Sequence, residues 1–184
     1  MTNPFEFEKW PRGCLQVYTG NGKGKTTAAI GLAVRAAGRG LKTYIGQFMK
    51  GYEYGEIQAL KSLEPYVTIQ QFGSAQCIPK RDVPNPEDVE LAQNGLSQCR
   101  EVLQSGKFKI VILDEINVAH YFNLVSTDEL LELVASRPSD VEVVCTGRYA
   151  PESLLKLADL ITVMESTKHY FETEELPARD GIER

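Results

Sequence analysis

The sequence predicts an α/β domain built on a doubly wound, mostly parallel sheet of about six strands with helices on both faces. Three observations predict it. Short apolar runs rich in β-branched residues alternate with helical segments along the chain. Several runs, such as Ile110-Val111-Ile112-Leu113, are apolar at successive positions, as strands covered on both faces require. Alternating βα units also imply right-handed crossovers, and hence an open sheet.

Each element has its own signal. Residues 1–13 mix proline, charge and aromatics and read as an arm; with Glu6, Glu8 and no apolar centre, they do not read as a signal peptide. Strands are expected at residues 14–19, 43–48, 67–72, 110–114, 141–146 and 160–164. A helix is expected from Lys25 to about residue 39. Asn85-Pro86 places a capping residue before a proline at the first helical position. The helix after it carries Val89, Ala92, Leu96, Cys99 and Leu103 as a core-facing stripe. Ser126-Thr127-Asp128-Glu129 reads as a capping box ahead of Leu130, Leu131 and Leu133. Ala150-Pro151-Glu152 opens a further helix. The loop at 73–85 is long and irregular, a form often tied to function. Residues 166–184 read as a C-terminal tail.

The 184 residues are expected to form one domain, 1–184, which buries roughly 70% of its unfolded surface and needs no staple. A net charge of −5 argues against a large nucleic-acid or anionic-membrane footprint. No apolar run approaches the ~18 residues that a membrane span needs. Cys14, Cys77, Cys99 and Cys145 form no CxxC pair, and read as reduced thiols of a cytoplasmic protein. His120 and His169 lack metal-ligand spacing.

The most specific feature is Thr19-Gly20-Asn21-Gly22-Lys23-Gly24-Lys25-Thr26-Thr27, between a predicted strand and a predicted helix. That context is what a phosphate-binding P-loop requires. Glycines let backbone N–H groups approach phosphate oxygens, and the helix N-terminus adds its positive dipole end. Gly20, Asn21, Gly22, Lys23, Gly24, Lys25, Thr26 and Thr27 are therefore the expected nucleotide-binding set. Lys25 supplies a point charge and the Thr26 hydroxyl a Mg²⁺ ligand. Thr19 stands where the usual spacing puts a glycine, so the loop is tighter at its start.

A second signature is Ile110-Val111-Ile112-Leu113-Asp114-Glu115, an apolar strand ending in two acids. In P-loop proteins an acid there helps hold Mg²⁺, so the expected metal set is Thr26 with Asp114 or Glu115. Spacing leaves open which acid it is. Arg148 follows the fifth strand, at the carboxyl edge where ligands bind in such sheets. Lys25, Glu115 and Arg148 are the catalytic candidates. Arg35 is a further candidate for the nucleotide, with a solvent-facing role as its alternative. Tyr52 and Tyr54 are candidates to stack on a flat ligand.

Taken together, several segments resemble the P-loop corrinoid adenosyltransferases. The loop Gly20-Asn21-Gly22-Lys23-Gly24-Lys25-Thr26-Thr27 is the most specific of them. Others are Arg35-Ala36-Ala37-Gly38, Gln47-Phe48-Met49-Lys50-Gly51, Leu113-Asp114-Glu115-Ile116-Asn117, Thr146-Gly147-Arg148 and Ala178-Arg179-Asp180-Gly181-Ile182-Glu183. The resemblance spans roughly residues 15–183 and implies a reaction. The 5′-deoxyadenosyl group of ATP passes to Co(I) of a reduced corrinoid, and triphosphate leaves. It also implies Mg²⁺, a homodimer and a possible flavoprotein source of electrons.

The chain departs from the family pattern in the loop after the third strand. There Gln76 and Ile78 stand in place of a Phe and a Trp that help remove the corrinoid's lower ligand. The resemblance then implies good use of pre-reduced Co(I) and poor help in reducing Co(II). The arm is also short, and residues 170–177 are more acidic than in relatives. Two alternative readings stand beside this one: a P-loop kinase or ATPase that releases ADP, and a non-catalytic ATP- and corrinoid-binding delivery protein.

Overall fold

The structure is a computed structural model that describes residues 12–74 and 83–183. Strand β1 (Leu15–Thr19) is followed by helix α1 (Lys25–Ala37), β2 (Thr43–Phe48), α2 (Gly55–Lys61), β3 (Val67–Phe72) and α3 (Pro86–Gln104). Then come β4 (Ile110–Asp114), α4 (Ile116–Tyr121), α5 (Thr127–Ala135), β5 (Glu142–Thr146), α6 (Glu152–Leu157), β6 (Leu160–Val163) and α7 (Tyr170–Glu174). The strands form one sheet of six in the order β3-β2-β4-β5-β1-β6, and every pairing is parallel. The three expected strands at 43–48, 67–72 and 110–114 coincide with those observed, and the other three differ by one residue at an end. Helices α2, α4 and α7 lie where none was expected.

The alternation along β4 explains why both faces are covered. Val111 and Leu113 join the core beneath α3 to α6, with Leu96, Cys99, Leu130, Leu133 and Leu154. Ile110 and Ile112 point the other way and join Ala29, Ala33 and Ala36 of α1 and Leu60 of α2. A strand apolar at every position thus serves two cores at once. Small side chains on the α1 stripe bring that helix close to the sheet. Gly95 does the same for α3, where an added Cβ would stand 2.8 Å from the rings of Phe48 and Phe72.

The expected helix signals are present in atomic detail. The Asn85 side chain accepts from the Glu87 backbone N–H at 3.3 Å. At α5 Ser126 and Glu129 cap each other reciprocally, the Ser126 N–H donating to Glu129 at 2.8 Å. Because all strands run the same way, their carboxyl ends share one edge of the sheet. The segments after β1, β4 and β5 meet there, β5 lying between the other two. No helix among the described residues is long and apolar enough to cross a membrane.

Candidate functional site

The loop between β1 and α1 is shaped by backbone conformations open to glycine. Gly20 has φ 93° and Gly24 φ 118°, both in the left-handed region. A Cβ on Gly20 would stand 2.4 Å from the Met164 carbonyl oxygen, so the loop passes β6 with no room for a side chain. The Gly22 N–H donates to that same carbonyl at 2.6 Å and ties the loop to the strand end. Lys25, the first residue of α1, is buried. Its ammonium donates to the carbonyls of Gly20 at 2.8 Å and Gly22 at 2.7 Å, which holds it in the floor of the loop. Burial pushes its pKa down; Glu115 opposes that shift and Arg148 adds to it.

Across the β5 strand sits Asp114, 1% exposed and fully engaged. Its Oδ1 accepts from the Thr26 hydroxyl at 2.8 Å and the Thr146 hydroxyl at 2.7 Å. Its Oδ2 accepts from Gln47 at 3.1 Å and from the Lys50 ammonium at 2.9 Å. Lys50 also lies 3.7 Å from Glu56. Burial disfavours the Lys50 charge, but Asp114, with Glu115 and Glu56, more than compensates and raises its pKa. Glu115 differs from its neighbour. It begins α4 in a left-handed conformation (φ 60°, ψ 17°), with its N–H donating to Thr146 at 3.0 Å. Its carboxyl faces the pocket, and burial together with the adjacent Asp114 raises its pKa.

Several of these groups, Lys25, Thr26, Lys50 and Glu115 among them, border a pocket of about 560 Å³, in the range of small-ligand sites. One wall is the glycine loop with Asn21, Lys23, Lys25, Thr26 and Thr27. Glu115, Arg148, Lys50 and Tyr54 line it from the carboxyl edge of the sheet and the α2 entry. The remaining wall is the expected tail, through His169, Gly181, Ile182 and Glu183. Arg35 is not brought there. It is exposed on α1, ten residues past Lys25 and so about 15 Å along the axis from the loop. Asp114 does not open onto the pocket as Glu115 does, but only Asp114 touches Thr26. Gln76 and Ile78 lie outside the described residues, as does nearly all of the arm.

The oxygens of Thr26 and Asp114 form a hard-oxygen pair that fits Mg²⁺, an ion that commonly completes its shell with phosphate and water. Among the described residues no group of three or more His, Cys, Asp or Glu gathers to hold a metal unaided.

Sequence reasoning passed over Gln47, Lys50, Thr146 and Glu183. All four lie in segments that carry the family resemblance, and for Lys50 a lysine two residues after a strand was the available signal.

Fold and site together define a nucleotide-binding α/β protein of the P-loop class. A KaiC-like protein of known structure from Pyrococcus horikoshii shares the fold. It has a TM-score of 0.57 at 17% identity, over 84% of this chain and 72% of that one. The chain belongs to the ATP:corrinoid adenosyltransferase family BtuR/CobO/CobP, whose family model matches residues 11–184. It is 32% identical to a corrinoid adenosyltransferase of Pseudomonas aeruginosa, over 94% of this chain and 84% of that protein. It is also 32% identical to the Escherichia coli corrinoid adenosyltransferase, over 94% of this chain and 86% of its relative.

Proposed function

We propose that the protein transfers the 5′-deoxyadenosyl group of ATP to Co(I) of a reduced corrinoid. The cobalt lone pair attacks C5′, the C5′–O bond breaks, and its electron pair leaves with triphosphate. The observation that carries this reading is the pocket of about 560 Å³ that the glycine loop lines together with Lys25, Glu115 and Arg148. Family membership supports the choice of acceptor.

Co(I) is itself the nucleophile, so the protein's work is placement and charge. Holding C5′ in line with cobalt is a proximity task. The charge that develops on the leaving triphosphate falls to Lys25, the loop N–H groups and Arg148. Mg²⁺, when bound with ATP, neutralises part of that charge. In this reading Thr26 would hold the ion from the pocket wall and Asp114 would support it through its hydrogen bond to Thr26, while Lys50 and Gln47 hold Asp114 in register from behind. Glu115 faces the same space as a second carboxyl group. Tyr54, with Lys50 5.3 Å from its ring centre, closes the opposite side. The chain works as one domain, in a homodimer in the cytoplasm, with Co(I) supplied by a flavoprotein.

An anaerobic assay with ATP, Mg²⁺ and chemically reduced cobalamin tests the proposal. It expects a light-sensitive cobalt–carbon product and one triphosphate per transfer. Release of ADP instead would mean a kinase or ATPase. Binding of both substrates without product would mean a delivery protein.

A further inference from the structure

We propose that Glu183 and triphosphate compete for Lys23, so that the C-terminal turn is an intramolecular latch that speeds release of the cleaved triphosphate. The proposal rests on the adenosyl-transfer reading and adds a positioning residue to it.

The geometry begins with an acid in a place suited to anions. The Glu183 carboxylate borders the phosphate pocket, and its Oε1 lies 3.3 Å from the Lys23 ammonium. Lys23 projects from the glycine loop itself, between Gly22 and Gly24. A carboxylate on a phosphate-loop lysine occupies a charge that the substrate would otherwise use.

The carboxylate is held by its own segment, independently of Lys23. Oε2 accepts from the Arg179 backbone N–H at 2.9 Å and its Nε at 3.4 Å. Oε1 accepts from Arg179 Nη2 at 3.2 Å and from the Tyr170 hydroxyl. The Arg179 guanidinium also lies 5.0 Å from the centre of the Tyr170 ring. Those donors hold the Glu183 pKa below the ordinary carboxylate range, Arg179 foremost and Tyr170 next. Glu183 therefore stays anionic and in place when Lys23 departs. Its side chain is 16% exposed, whereas that of Lys23 is 44% exposed and is the more open of the two to solvent.

The chemistry gives the latch a use. When the C5′–O bond breaks, the leaving triphosphate gains charge and binds the loop more tightly than ATP did. A resident anion that recaptures Lys23 lowers the barrier to its escape. An anion one side chain away loses to a bound polyanion but wins as the polyanion starts to leave.

The test uses the full chain with Mg²⁺ and inorganic tripolyphosphate as the probe, with affinity read by calorimetry and dissociation by stopped-flow displacement. Glu183→Gln keeps the shape and removes the charge. It should bind tripolyphosphate tighter by roughly three- to ten-fold, as expected of one charge removed beside a polyanion at high effective dielectric, and release it more slowly. Lys23→Ala should bind more weakly, and Glu183→Gln should add nothing in that background. Unchanged or weaker binding by Glu183→Gln overturns the latch. So does a gain that persists without Lys23, because that is plain repulsion. If the unmodified chain does not bind tripolyphosphate, the phosphate-loop reading falls and the latch with it.

Discussion

Asp114→Asn probes how the centre of the site is wired. The carboxylate takes four donors, two on each oxygen: Thr26 and Thr146 on Oδ1, Gln47 and Lys50 on Oδ2. Asparagine keeps one acceptor oxygen, which serves Gln47 and Lys50, and turns its NH₂ toward the Thr26 and Thr146 hydroxyls, which rotate to accept. The hydrogen bonds can be kept in that orientation, but the Lys50 cation loses the charge of its main partner. Breaking a buried pair by removing one member costs about 3–5 kcal/mol. Lys50 keeps Glu56 at 3.7 Å and is 15% exposed, so the lower end applies, about 3 kcal/mol. Urea unfolding without nucleotide or Mg²⁺ should show that loss with an unchanged slope. Adding Lys50→Met should restore roughly 1 kcal/mol or more, because it removes the orphaned cation. A loss under about 0.5 kcal/mol, or full additivity of the two changes, would refute this account of the network.

Glu115→Gln should act in the opposite direction. Its folded pKa is raised by burial and by Asp114, so the charged form is the one the fold disfavours. Below its unfolded pKa of about 4.3 the acid is protonated in both states, and Glu and Gln are equivalent. As pH rises through the folded value, the native carboxylate loses ground, and the Gln variant should show a higher urea midpoint at neutral pH.

Two further outcomes follow from the same geometry. Lys25→Ala should reduce adenosyl transfer by on the order of 100-fold or more, and near-normal turnover would remove Lys25 from the reaction. Ser126→Ala should lower stability by about 1 kcal/mol at neutral pH. The Ser126 hydroxyl's hydrogen bond to the Glu129 carboxylate helps hold that pKa down, so this part of the penalty is present above about pH 4.3 and is lost as pH falls through the lower folded value, while the part from the Glu129 N–H to Ser126 bond stays. A penalty that stays constant down to acid pH would separate Glu129 from the cap.

The sheet was legible because its signals are local. A run such as Ile110-Val111-Ile112-Leu113 declares a two-faced strand without reference to anything else, and Ser126 to Glu129 is a complete cap within four residues. Helix α4 was hidden because it is six residues long and opens at Glu115 in a left-handed conformation, with no capping side chain to announce it. In the site, Lys25 and Thr26 are fixed by spacing within one loop. The choice between Asp114 and Glu115 was not, since adjacent residues on a strand end point to different sides and only tertiary contact tells which meets Thr26. Lys50, Thr146 and Glu183 join the site over separations of 64, 32 and 160 residues, which no periodicity encodes. Arg35 lies away from the pocket because a helix that begins at a site also carries its later residues away from it, which fits the solvent-facing alternative.

The all-parallel order β3-β2-β4-β5-β1-β6 bears on how the chain comes to be active. Neighbouring strands are never joined by a tight hairpin, and β1 finds both its partners, β5 and β6, more than a hundred residues further along. Such pairings close large loops before any contact rewards them, so they form late and slowly. The Thr26–Asp114–Thr146 junction needs β1, β4 and β5 all in register, which makes it one of the last things to exist. Nucleotide affinity is therefore a property of the finished sheet rather than of any partly assembled one. By mass action, a nucleotide that binds only the finished sheet favours it over less complete states, and the substrate doubles as a stabiliser of its own enzyme.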